Sequence, residues 1–121
     1  MIHSLISACV YFEEIVVSDF TDSNCREIER WLRKEGSCFD WNPIIQFVCD
    51  LEGKSRSPEE VEQWLRQTVK QVLKCDVQLT NPFHPLTVEL ADCLTASLCL
   101  EAACQNLEMY RCALQRPGSA P

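Results

Sequence analysis

Ile2, Leu5, Ile6, Cys9, Phe12, Ile15 and Val16 recur at three- and four-residue steps, which predicts one apolar face of a helix over residues 2–17. Ser18, Asp19, Thr21, Asp22 and Ser23 then break the pattern with residue types that cap helices. A second helix is expected from Asn24 to Glu35, with Ile28, Trp31 and Leu32 facing inward and Gly36 as its left-handed stop. Asn42-Pro43 opens a third, over 43–52, which carries Ile44, Ile45, Phe47, Val48 and Leu51 and ends at Gly53. Ser57-Pro58-Glu59-Glu60 combines a capping serine, a first-turn proline and a glutamate three residues after the cap. Val61, Trp64, Leu65, Val69, Val72 and Leu73 carry that fourth helix to Lys74.

Asp76 to Pro85 reads as a connector, because Pro82 and Pro85 both resist helix and bias their predecessors toward extended backbone. Beyond it the apolar spacing predicts a long helix from Leu86 to Gln115. Leu94, Leu98, Ala91, Ala102, Met109 and Ala113 share one side, while Leu90, Cys93, Leu100, Cys104 and Leu107 share another. A helix apolar on nearly every side belongs inside a fold, so this one is expected to be a buried spine. The expected fold class is therefore all-α: a compact bundle of about five helices around a long central C-terminal helix. Residues 1–115 would form a single helical domain and 116–121 a flexible C-terminal tail.

Composition agrees with a globular chain: of 121 residues, 46% are hydrophobic and 24% charged. Three glycines and six prolines divide it into a few long elements. A net charge of −7 argues against nucleic acid as a partner, and Arg26, Arg30, Arg33 and Lys34 are interleaved with Glu27, Glu29 and Glu35. No apolar run is long enough for a membrane span, and the N-terminal stretch has neither a basic start nor an uninterrupted apolar core of the signal-peptide kind. Nine cysteines, an odd number without CxxC spacing, point to a reducing compartment, cytoplasmic or nuclear.

Those thiols read as core filler. On a helix, Cys99 points away from Cys93 and Cys104, which share a face but stand about 16 Å apart along the axis, so the three do not converge on one tetrahedral ion. His3 and His84 match no zinc-ligand spacing with them. Glu59–Glu60 is explained by capping, and three glycines could hardly build a phosphate-cradling loop. No catalytic residue, metal site or cofactor is expected, and the chain reads as a non-enzyme.

With no chemistry found, the expected function is a helical protein–protein interaction module, an adaptor or a subunit of a larger intracellular complex. Its partner would be another protein (a helix or peptide) or a second copy of the chain. Trp and Arg dominate interface hot spots, and Trp31 and Trp64 stand in parallel contexts, "EIERWLRKE" and "EVEQWLRQT". Phe39, Trp41, Trp64, Phe83 and Tyr110 are the expected partner-binding residues. The alternative is a thiol-dependent metal-binding or redox protein using Cys25, Cys38 or Cys49 with a histidine. Asp40-Trp41-Asn42-Pro43-Ile44-Ile45 with Glu52-Gly53 also resembles, in part, the Asn-Trp-Gly-Arg-Ile motif of Bcl-2-type helical proteins. Here Asn follows Trp and the Gly-Arg pair is missing. The resemblance implies a regulator that binds an amphipathic partner helix.

Overall fold

The computed structural model describes residues 2–53, 56–96 and 99–118, and among them the chain is not all-α. It forms two compact units, residues 1–73 and 74–121. The first unit opens with short 3₁₀ turns at Ile2–Leu5 and Ala8–Val10 and continues into a strand, β1, at Ile15–Asp19. Three helices follow: α1 (Asp22–Leu32), α2 (Asn42–Leu51) and α3 (Pro58–Thr68). A second strand, β2 (Val69–Lys74), pairs with β1 in a two-stranded sheet.

The helix expected over 2–17 is thus replaced by turns and a strand. In β1 the residues alternate: Ile15, Val17 and Asp19 are half-buried while Val16 and Ser18 face out. The run Ile-Val-Val is β-branched, loses side-chain freedom in a helix and fits a pleated surface. The expected fourth helix is likewise cut short. Thr68 is buried and turns its hydroxyl back onto the Trp64 carbonyl at 2.8 Å, and Val69 is already extended at φ −75°, ψ 110°. From there Val69 and Val72 serve a strand paired with β1.

The core of this unit joins the opening turns to the helices. Ile6, Cys9, Trp31, Ile45, Cys49, Val61, Leu65 and Val69 are buried together, with Ile15, Val17 and Val72 of the sheet packed against them. Arg66 clamps α3 onto α1: its Nε donates to the Trp31 carbonyl at 3.0 Å, and the guanidinium carbon lies 4.3 Å from the Trp31 ring centroid. Burial pushes the Cys9 and Cys49 thiols up from the ordinary cysteine range, as expected of filler sulfur.

The helix termini follow local chemistry. Ser57 caps α3, accepting from the Glu60 amide at 3.2 Å. Gly53 takes φ +84° beyond α2. The left-handed stop of α1 is Lys34 at φ 60°, not Gly36. Glu35 N–H bonds the Arg30 carbonyl and Lys34 N–H the Trp31 carbonyl, each at 3.0 Å, which is the Schellman pattern with Lys34 in the glycine position.

In the second unit the long C-terminal spine is absent. Residues 86–96 form no helix or strand, and the helices are α4 (Leu100–Ala103) and α5 (Leu107–Gly118). Leu90 and Leu94 are each 68% exposed and Leu107 is 63% exposed, so these positions of the apolar faces expected to be buried are in solvent. Cys93, Cys99 and Cys112 are exposed too, while Leu100 and Ala113 are buried. Ser97 and Leu98, which the expected helix included, lie outside the described residues, as do 119–121 of the expected tail. The connector is a closed loop, with the Asp76 amide donating to the Pro82 carbonyl at 2.8 Å. Asn106 begins α5 by accepting from the Met109 amide at 2.9 Å. Among the described residues, no helix is long and apolar enough to cross a membrane.

Candidate functional site

The alternation of β1 delivers Asp19, its last residue, half-buried on the core-facing side of the strand. The chain then turns through Phe20 and enters α1, whose cap position is Thr21 in an extended conformation (φ −87°, ψ 134°). The Thr21 hydroxyl does not cap the helix; it donates to Asp19 Oδ1 at 3.1 Å, and the Thr21 amide donates to the same oxygen at 2.9 Å. One turn on, Asn24 Nδ2 reaches both carboxylate oxygens at 3.2 Å. Local sequence order therefore fixes the carboxylate: the strand ends at Asp19 and the following cap and first turn hold it.

The Cys25 thiol defines how the strands are arranged around this point. Its sulfur is 3.6 Å from the Asp19 carbonyl and 3.6 Å from the Leu73 carbonyl. Asp19 ends β1 and Leu73 is next to last in β2, so the C-terminal ends of the paired strands lie side by side and the strands run parallel. Three helices make up the crossover between them. In parallel α/β sheets, ligands bind outside the carboxyl ends of the strands. Here that end carries a carboxylate held by two neighbours, Thr21 and Asn24, and a helix starts beside it.

The residues expected from sequence as partner contacts sit elsewhere. Phe39 and Trp41 meet edge to face with centroids 4.8 Å apart, and His3 stacks on Trp41 at 6.3 Å. Trp41 is half-buried against the core and Phe39 is exposed. Trp64 is 46% exposed on α3. Phe83 and Tyr110 are half-buried residues of the second unit, in the connector and α5. Of the thiols set aside for a metal or redox role, Cys25 and Cys38 are half-buried and Cys49 is in the core. Among the described residues no group of three or more His, Cys, Asp and Glu side chains could hold a metal ion. In the sequence pattern Asp19 and Thr21 belong to a polar break and Asn24 to the start of the second expected helix. The signal that marks them is a β-branched run ending in an acid and followed at once by capping residues, "IVVSDFTDSN".

Comparison with known proteins finds relatives named as N-methyltransferases. Nicotinamide N-methyltransferase of Homo sapiens is 50% identical over 118 residues, covering 98% of this chain and 45% of that protein. Indolethylamine N-methyltransferase of Oryctolagus cuniculus is 45% identical over 118 residues, with the same coverage of each. Phenylethanolamine N-methyltransferase of Sus scrofa is 41% identical over 115 residues, covering 93% of this chain and 41% of that protein. The chain thus spans less than half the length of the curated relatives it matches.

These relatives are enzymes by name, which overturns the expectation of a non-enzymatic adaptor, complex subunit or Bcl-2-like regulator with a protein partner. The physical source of that error is the apolar run that starts at Leu86, whose residues 86–96 form no helix and so supply no helical face. Residues 1–120 match the NNMT/PNMT/TEMT family, and the chain belongs to it.

Proposed function

We propose that the chain supplies the donor-nucleoside part of an N-methyltransferase site, which acts with S-adenosylmethionine on a small-molecule nitrogen. Nicotinamide, indolethylamine and phenylethanolamine, named for the relatives, all carry a nitrogen either within an aromatic ring or at the end of a two-carbon chain on one. When bound, a sulfonium donor supplies an electrophilic methyl group: the nitrogen lone pair forms the new N–C bond as the C–S bond breaks, and the sulfur leaves as a neutral thioether.

The residues at the end of β1 fit the nucleoside of that donor. A carboxylate offers about four acceptor positions. Oδ1 of Asp19 already receives the Thr21 amide, the Thr21 hydroxyl and an Asn24 N–H. Among the described residues, Oδ2 receives the Asn24 contact at 3.2 Å, which leaves acceptor capacity on a half-exposed group. Ribose presents two neighbouring hydroxyl donors, and an acidic side chain is the group that takes them in sheets that bind nucleotides. In this reading Asp19 accepts from the ribose hydroxyls, while Thr21 and Asn24 keep its carboxylate from turning away. The cytoplasm is the compartment we propose, since all nine cysteines are free thiols.

The observation that carries this reading is the fixed Asp19 carboxylate at the paired strand ends. Titration calorimetry with S-adenosylmethionine tests it. Asp19→Asn should weaken binding about tenfold or more, the usual difference between a charged and a neutral acceptor. Equal affinities for the two proteins would remove Asp19 from the site and the reading with it.

A further inference from the structure

Cys25 stands in the first turn of α1 and touches both strand ends at once, 3.6 Å from the carbonyl of Asp19 and 3.6 Å from that of Leu73. A thiol has a single proton to donate, so that proton is shared between the two acceptors or moves from one to the other. The Asp19 carbonyl belongs to the residue whose carboxylate forms the site. That residue is therefore held twice: Thr21 and Asn24 hold the side chain, and Cys25 holds the main chain against the neighbouring strand. We infer that Cys25 is a positioning residue for the donor ribose: by tying the Asp19 and Leu73 carbonyls together it sets the direction in which the Asp19 carboxylate points. The inference rests on the donor-site reading above.

The state of the thiol suits this role. Burial, and next the negative charge of Asp19, push its pKa up from the ordinary cysteine value, so it keeps its proton and stays a donor through the neutral range. The geometry suits sulfur as well. A serine hydroxyl sits on a shorter bond to Cβ and would fall short of one or both carbonyls, so Cys25→Ser should not restore the tie.

The test uses two ligands on the 121-residue chain. S-adenosylhomocysteine carries the ribose hydroxyls; its 2′,3′-dideoxy counterpart keeps the base and the sulfur but lacks them. The unaltered chain should prefer the first by about tenfold or more, the hydroxyls being the groups that Asp19 accepts from. In Cys25→Ala that preference should shrink by about threefold or more, because a carboxylate aimed a little wrongly loses part of a charge-assisted hydrogen bond. A general loosening of the fold would weaken both ligands alike and leave the preference as it was, and that result overturns the positioning role. If Cys25→Ala does not fold, Cys25→Ser takes its place and must reduce the preference likewise. Asp19→Asn, measured alongside, separates the two ideas. A preference unchanged in Asp19→Asn, or a chain that binds neither ligand, contradicts the donor-site reading. A preference lost in Asp19→Asn but intact in the folded Cys25 variant contradicts the positioning role alone.

Discussion

Single residues decide where the elements of this chain stop. Ser57, Pro58 and Gly53 behave as their types dictate, and each was legible in the sequence because capping, first-turn proline and positive φ are local requirements. Lys34 was not legible, because the glycine two residues later looked like the natural stop. At φ 60°, a lysine Cβ is crowded by backbone, and glycine there would relieve it. Lys34→Gly should stabilise the chain by about 0.5–1 kcal/mol in chemical denaturation. Glu52 illustrates a residue-scale pH effect. A hydrogen bond from Ser7 and then one from Arg56, at 2.8 Å, hold its carboxyl below the usual glutamate value. A depressed carboxylate pKa contributes stability above the unfolded-state value, and the contribution is lost as pH falls through the folded-state value. Glu52→Gln should therefore lower stability at neutral pH, with the difference from the unaltered chain closing as the solution is acidified into the carboxylate range. Denaturation midpoints measured from pH 7 downward check this.

At the scale of elements, α1, α2 and α3 were legible because each pairs an apolar stripe with an end signal. The strands were not. The alternation Ile15, Val17, Asp19 covers only five residues, and Ile15 with Val16 also satisfies helical spacing. Periodicity misled most over 86–96, where Leu94 and Leu90, expected on two apolar sides of one buried helix, are instead exposed in irregular chain. Thr87, Val88, Asp92 and Thr95 lie among them, all weak helix formers, so the spacing had little propensity behind it. The energetic centre of the first unit is α3, where Val61 and Leu65 are fully buried among the opening turns and α2. Leu65→Ala should cost about 2–5 kcal/mol by cavity formation, read as a lower denaturation midpoint. Trp64→Ala, on the exposed side of the same helix, should cost far less.

At the scale of the molecule, the parallel pair β1–β2 and its three-helix crossover form an α/β arrangement, and its C-terminal edge carries the half-buried Asp19. Composition suggested a globular chain in a reducing compartment but carried no trace of this site. Its parts are ordinary polar residues that gain meaning only when the strand ends meet. The site was hidden for a second reason: Asp19, Thr21 and Asn24 are also good cap and turn residues, so local rules accounted for them without any ligand. The central claim, that the methyl donor's nucleoside sits on the Asp19–Cys25 segment, can be read directly from backbone amide NMR during titration with S-adenosylhomocysteine. Saturable shifts concentrated at residues 19–25 are the predicted result. Saturable binding that leaves those amides unmoved would contradict it.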